Sequence, residues 1–351
     1  MSDTVNKQAP VSGNGATSGK NAVSGNDAAS GKEMAASGHL SHFGLLRFAG
    51  PDAVSFLQGQ VSNDTRPLDK GVPLLAAYSS PQGRVVAVFH LIPHSSGVIA
   101  ILPREIVLPT LERLRKYVLR AKVKIEDLSE EFTVLGRHRS TAAPFGDLPV
   151  PDAAQGYAER NGIGVARVGS DANRDWVIGP AQDLMNHGTG GEPKATQPAE
   201  HAWRLADIRS GLPQIYAATR EMFVAQMLNL DLIDGISFTK GCFTGQEIIA
   251  RTQHLGRIKR RLFRLRLPAG TWAIGQAVHL VDGRSGRLTE LAQTGAEFEA
   301  LAVLNTEPTV SLGAGAVASA AAGGANQHSA EPDSSASPPI DATELPLPYS
   351  V

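Results

Sequence analysis

Apolar positions along the chain fall into a succession of short strand-like and helix-like rhythms. Leu45 to Phe48 in "HFGLLRFAG" form a brief apolar run that predicts a strand. In "GPDAVSFLQGQ" the spacing changes. Ala53, Phe56 and Leu57 share a helical face, Pro51 suits a first turn, and Gly59 suits a stop. "VPLLAAYSSPQGRVVAVFHLIP" predicts two strands around the turn "SSPQGR", in which Ser79, Ser80, Pro81 and Gly83 read as turn residues. "GVIAIL" predicts another strand. In "PTLERLRKYVLR", Leu111, Leu114 and Val118 align on one helical face, and "AKVKIEDL" then alternates through Val123 and Ile125 like a strand. Two further strands are predicted in "GIGVARVG" and "RDWVIGP", and "AEHAWRLADIRSG" predicts a helix that Gly211 ends. This order of elements is an α+β pattern rather than a regular βαβ repeat. From about Leu255 to Leu312 the alternation in "RLFRLRL", "QAVHLV" and "EFEALAVL" predicts a small antiparallel barrel or sandwich.

The rhythm stops at both ends. Residues 1–38 repeat Ser-Gly pairs and hold almost nothing that could be buried, so they are expected to be a disordered tail. "GATSGKN" within them fails as a phosphate loop, because no Ser or Thr follows Lys20 and no strand precedes it. Residues 313–351 are rich in Ala, Ser and Pro and are expected to be a second tail. Residues 39–254 then form one α+β region, and 255–312 the small β domain. The formal net charge of −1 argues against coating nucleic acid by bulk electrostatics. One cysteine in 351 residues forms no internal disulfide, which suits a reducing, cytoplasmic setting. No apolar run is long enough to span a membrane, and the first 40 residues lack the apolar core of a signal peptide.

That cysteine, Cys242, lies in "FTKGCFTGQEIIAR". Thr244 and Glu247 are spaced as a capping box for a following helix. Two readings are open. Unpaired N–H groups at a helix start favour a thiolate, and Lys240 could add positive charge. Alternatively, Cys242 is a small residue in a tight turn between Gly241 and the helix. One thiolate cannot hold an iron–sulfur cluster alone, so Cys242 could serve only as a ligand to a shared one. His90 and His94 flank Pro93 at a strand end and make a poor metal site. The run "RIKRRLFRLR" carries six cations between Arg257 and Arg266. It reads first as the wet face of a strand, and second as a patch for tRNA or another polyanion.

Taken together, "KGCFTGQEIIAR", "SSPQGRVVAVF", "GPDAVSFLQGQVSND", "RKYVLRAKVKIED" and "DIRSGLPQI" resemble the YgfZ family of folate-binding proteins. These are relatives of the aminomethyltransferase (T-protein) of the glycine cleavage system. The resemblance covers most of the chain between the two tails. It implies a three-domain, clover-like fold around a channel for tetrahydrofolate, with a small C-terminal antiparallel β-barrel. It implies an accessory role in assembling or repairing iron–sulfur proteins, including those that modify tRNA. The expected partners are those enzymes or their assembly proteins, with tRNA met indirectly and no membrane. It places folate-contacting aromatics at Phe43 and Trp203, polar contacts at Asn63 and Asp64, and partners for the folate's carboxylates at Arg84 and Arg251. The chemistry would sit at Cys242, with Lys240 lowering its pKa and Gln246 and Glu247 positioning the loop.

Two positions depart from the aminomethyltransferases. They carry an acidic residue after the glycine turn, where this chain has Val85, Val86 and Ala87. A general acid or base is thereby missing. The glutamate that faces their pterin falls on Arg209, and a cation cannot accept the pterin's N–H groups. A folate-dependent one-carbon transferase is therefore the alternative reading, and a direct tRNA-binding module is the third.

Overall fold

The computed structural model describes residues 38–138, 148–151, 156–169, 171–186, 197–255, 257–308 and 338–351. Nearly all of the tail expected over 1–38, with its Ser-Gly repeats, lies outside them. The described residues form three five-stranded sheets, and every strand pairing in them is antiparallel. Among the described residues, no helix is long and apolar enough to cross a membrane.

The first sheet has the order β3-β4-β5-β2-β6, with β2 Phe43–Ala49, β3 Leu74–Ser79, β4 Val85–His94, β5 Gly97–Pro103 and β6 Lys124–Asp127. Helix α1 (Ala53–Gln58) follows β2, and α2 (Val107–Arg115) follows β5. Both faces of this sheet are covered. On β2, Leu46 and Phe48 enter the main core with α1 and α2, while Phe43 and Leu45 point into a second core. On β5, Val98, Ala100 and Leu102 go one way and Ile99 and Ile101 the other. Successive side chains in a strand alternate faces. A strand covered on both sides therefore reads as a continuous apolar run, as "VVAVFHLI" does.

The second core joins the first sheet to the second, whose order is β1-β7-β10-β9-β8. Its strands are β1 Gly38–His39, β7 Phe132–His138, β8 Tyr157–Arg160, β9 Ile163–Val168 and β10 Asp171–Pro180. The short helix α3 (Ala181–Asn186) leaves β10, and α4 (Gln197–Ser210) packs Trp203 into the interface. At Gly136 on β7, a Cβ would stand 2.3 Å from Trp203 Cε3, so only glycine leaves room for that ring. Gly211, at φ +66, ends α4 in the left-handed region where glycine carries no steric penalty.

The third sheet has the order β12-β13-β14-β11-β15, built from β11 Arg260–Leu267, β12 Ala277–His279, β13 Ser285–Thr294, β14 Glu297–Asn305 and β15 Thr343–Leu345. It differs from the expected barrel: no ladder closes it. A single isolated bridge, Leu280 with Ile340, links one edge to the residues that lead into β15. The expected tail over 313–351 also differs. Residues 313–337 lie outside the described residues, but 338–351 run along the edge of β11. There Arg264 pairs with Leu345, Arg264 Nη1 donates to the carbonyl of Pro346 at 3.1 Å, and Leu347 packs on the main core. Helix α2 ends at Arg115, earlier than its apolar spacing predicts, and tight turns carry the chain on through Val118. The core takes Val107, Leu111 and Leu114 from this helix; Val118 is reached by the turns.

Candidate functional site

The turn between β3 and β4 and the cysteine segment are locked together by two glycines. The turn closes with Gly83 N donating to Ser80 O at 2.8 Å and Ser80 N to Arg84 O at 2.8 Å. Gly83 has φ +70, and a Cβ on it would lie 2.6 Å from Ile248 Cβ. Gly245 has φ +83, and its Cβ would lie 2.7 Å from Ser80 O. Both positions thus require glycine twice over, for conformation and for space.

Behind that junction, the loop 237–244 is tied to the residues after α1. Ser237 N donates to Ser62 O at 3.0 Å and Thr244 N to Gly59 O at 3.2 Å. Lys240 Nζ donates to the carbonyls of Gln58, Val61 and Asn63 at 2.7, 2.8 and 2.8 Å. It also lies 4.9 Å from the centre of the buried Phe243 ring. Burial pulls this ammonium down to about 8, with Asp64 drawing it back up. An ammonium has three N–H groups, and all three are used, so none is left for the thiol. Lys240 is a staple for the loop. Cys242 itself is exposed and unpaired. Helix α5 (Gln246–Leu255) begins two residues past Thr244, and neither Thr244 nor Glu247 makes a capping bond among the described residues. Glu247 and Arg251 are exposed on this helix. Arg84 donates from Nη1 to Met222 O at 2.9 Å and bridges to Val224, so it fastens the 222–224 segment.

A cavity of about 780 Å³ opens where the first two sheets, α4 and the 338–351 segment meet. Asn63 and Asp64 stand on its wall. Asn63 Nδ2 holds the carbonyls of Leu75 and Asp234 at 2.9 and 2.6 Å, and both of those residues also line the cavity. Its own carbonyl is one of the three that Lys240 holds. Asn63 is therefore shared by the cavity and the cysteine loop. Asp64 is kept at about 2 by its hydrogen bond from Arg66.

Phe43 and Trp203 do not line the cavity; they are buried behind the residue that does, Trp176 on β10. Phe43 meets Trp176 edge-on at 5.1 Å, and Trp203 lies 4.6 Å from it. His90, another lining residue, sits 5.0 Å from the same ring, and burial holds it neutral by lowering it to about 3. Trp176 is 1% exposed, and its Nε1 has no hydrogen-bond partner among the described residues. Buried indole N–H groups usually find one.

Three guanidiniums share the wall, those of Arg167, Arg174 and Arg209. Arg174 donates to Asp207 at 2.6 Å, to Asp171 at 2.6 Å and to Ser210 at 3.2 Å. Burial pushes Asp207 up to about 6 against the pull of Arg174. Arg209 grips Glu299 of β14 through Nη2 at 2.7 Å and Nε at 3.2 Å. The opposite wall includes Tyr349, whose hydroxyl donates to Gly211 O at 2.8 Å.

The structure thus gathers Asn63 and Asp64 at the cavity and Lys240 with Cys242 at the loop. It leaves Arg84, Arg251 and Glu247 outside the cavity. The sequence reading overlooked Trp176, His90, Arg167, Arg174 and Tyr349. The small residues that flank Trp176, Gly136 on one side and Ala166 on the other, become its neighbours only through strand pairing. His90 and His94 do not form a metal pair. His90 meets Gln214 at 3.1 Å, whereas His94 meets Ser96 at 2.8 Å and the carbonyl of Gly162 at 3.1 Å.

No protein-family model matches the chain. It is similar to the tRNA-modifying protein YgfZ of Colwellia psychrerythraea, 33% identical over 229 residues, covering 64% of this chain and 69% of that protein. The same-named proteins of Hamiltonella defensa and Vibrio atlanticus are 30% and 32% identical, covering 71% and 69% of their lengths. Among solved structures, the glycine cleavage system aminomethyltransferase T from Bartonella henselae aligns over 78% of this chain and 81% of its own. Its TM-score is 0.55 at 14% identity, which speaks for the fold.

Proposed function

The chain belongs to the YgfZ family, and on that footing we propose that it serves tRNA modification as a folate-binding accessory to iron–sulfur proteins. Folate would occupy the cavity, and the exposed Cys242 would meet the client protein or its assembly partner. The observation that carries the folate part is the unpartnered Trp176 N–H on the cavity wall. The volume also suits, since small-molecule sites span ~300–1,000 Å³.

Trp176 would turn its unpartnered N–H toward the ligand, and Phe43 and Trp203 hold that indole in place from behind. The folate's carboxylates would be drawn by the positive charge of the wall's guanidiniums, which are themselves paired. Arg209 is committed to Glu299, so the acceptor for the pterin N–H groups would come from elsewhere. Asp234 qualifies, because it lines the cavity and its carboxylate has no partner among the described residues. Bound folate would supply a one-carbon carrier. The side chains that follow Gly83, Val85, Val86 and Ala87, are fully buried in the main core, so that turn contributes no acid or base. This favours an accessory role over the alternative, aminomethyl transfer.

Isothermal calorimetry with tetrahydrofolate tests the cavity. Saturable binding that weakens in Trp176→Phe is expected, and its absence in the unaltered protein would sink the folate part. Complementation of a deletion strain tests the cysteine. Cys242→Ala should fail to restore iron–sulfur enzyme activity; full restoration would make the thiol structural.

A further inference from the structure

Four of the six cations in the basic run that stands out in the sequence are ion-paired in the fold, while Lys259 is exposed with no ion-pair partner among the described residues. Arg257 pairs with Glu307 at 2.5 Å, Arg261 with Asp231 at 2.6 Å, Arg264 with Glu299 at 2.6 Å and Arg266 with Glu297 at 3.7 Å. Arg260 bonds Asn305 at 3.0 Å. Unpaired cations gather elsewhere, at the end of α2 and in the loop that follows it. From 113 to 124 the chain carries six cations and no carboxylate. Leu111 and Leu114 face the core, and the tight turns after Arg115 keep Lys116, Tyr117 and Arg120 exposed. A depression of about 390 Å³ lies there, walled by Pro109, Glu112, Arg113, Lys116, Tyr117 and Arg220. Arg113 pairs with Glu221 at its rim. Lys116, Arg120 and Lys122 are exposed and have no ion-pair partner among the described residues. Tyr117 is 37% exposed within this cluster.

We propose that this surface binds the phosphodiester backbone of RNA, with Lys116, Arg120 and Lys122 on phosphates and Tyr117 stacked on an unpaired base. The reading rests on the role in tRNA modification proposed above and gives it a direct contact. Cations interleaved with an exposed aromatic ring match the two needs of unpaired nucleic acid, charge along the backbone and a flat face for a base. An anionic membrane surface would need a broader apolar face than Leu108 and Leu119 supply.

The test is tRNA binding by the full chain, followed by fluorescence anisotropy across a salt series. The variants are Lys116→Glu/Arg120→Glu/Lys122→Glu, Tyr117→Ala, and Arg257→Glu/Arg266→Glu as the control in the other basic run. The triple variant should lose about tenfold or more in affinity, and its salt slope should flatten by ~0.7–0.9 for each lost phosphate contact. Tyr117→Ala should weaken binding to an unstructured oligonucleotide more than to a duplex. The proposal is overturned if the triple variant binds tRNA like the unaltered protein or if the control loses as much. Binding only to phosphatidylserine vesicles would overturn it too. Circular dichroism of each variant separates lost contact from lost fold. Complementation of tRNA modification reports separately. A protein that binds tRNA through α2 without restoring modification keeps this inference and loses the proposed function; the reverse loses only the inference.

Discussion

The cysteine loop and the cavity are built on opposite principles, although Asn63 belongs to both. The loop presents an exposed thiol and is held there by buried polar bonds, chiefly from Lys240. The cavity presents an indole held from behind by aromatic packing, with one polar atom left unpartnered. In the first, the functional group bears no load and its neighbour bears all of it. In the second, the same side chain packs the core and lines the cavity. Substitutions should therefore separate stability from activity at the loop and fail to separate them at the cavity.

The largest effect is expected from Trp176→Ala, which empties the centre of the aromatic cluster. It should cost ~3–5 kcal/mol in urea unfolding and abolish folate binding together. A variant that kept full stability would break the contrast. Lys240→Met should cost ~2–3 kcal/mol, because it strands three carbonyls without donors. The melt should move while the Cys242 thiol stays accessible to a maleimide. Acid should weaken the cavity side next. His90 titrates at about 3 in the folded protein instead of near 6.5. Below the unfolded value the unfolded chain gains a proton that the folded one does not. Stability should thus be full above pH 6.5 and fall by about 1.4 kcal/mol per pH unit as pH drops toward 3 from this site alone. His138, lowered to about 4, adds to the fall. Melts of His90→Phe between pH 6.5 and 4.5 should show a shallower slope. The smallest structural effect belongs to Cys242→Ala, whose stability should stay within ~0.5 kcal/mol of the unaltered protein.

Much of the fold is legible because local pattern and tertiary need agree. The apolar run of β4 predicts a strand buried on both faces, and "SSPQGR" predicts the turn that Gly83 makes. The site is less legible because its contacts are long-range. Lys240 reads as a charge beside a thiol, since its three partners lie 177 to 182 positions away. Phe43 and Trp203 lie one layer behind Trp176, which lines the cavity. Which ring faces outward depends on the packing of two sheets, and no single strand's alternation sets that. The 257–266 arginines look like a patch because their partners on β14 and at Asp231 are remote. Finally, β15 has three residues, too few for a period, and follows a stretch with no pattern at all.

The position of Tyr349 has a consequence for how the protein is made. Its hydroxyl closes on Gly211, 138 positions earlier in the chain. A ribosome delivers the two sheets and α4 long before it delivers this last piece of wall, and domains generally fold in that order. The cavity therefore exists first as an open cleft and becomes a walled site only when synthesis reaches residue 349. A ligand that touches Tyr349 would therefore meet the closed wall only after this segment has docked.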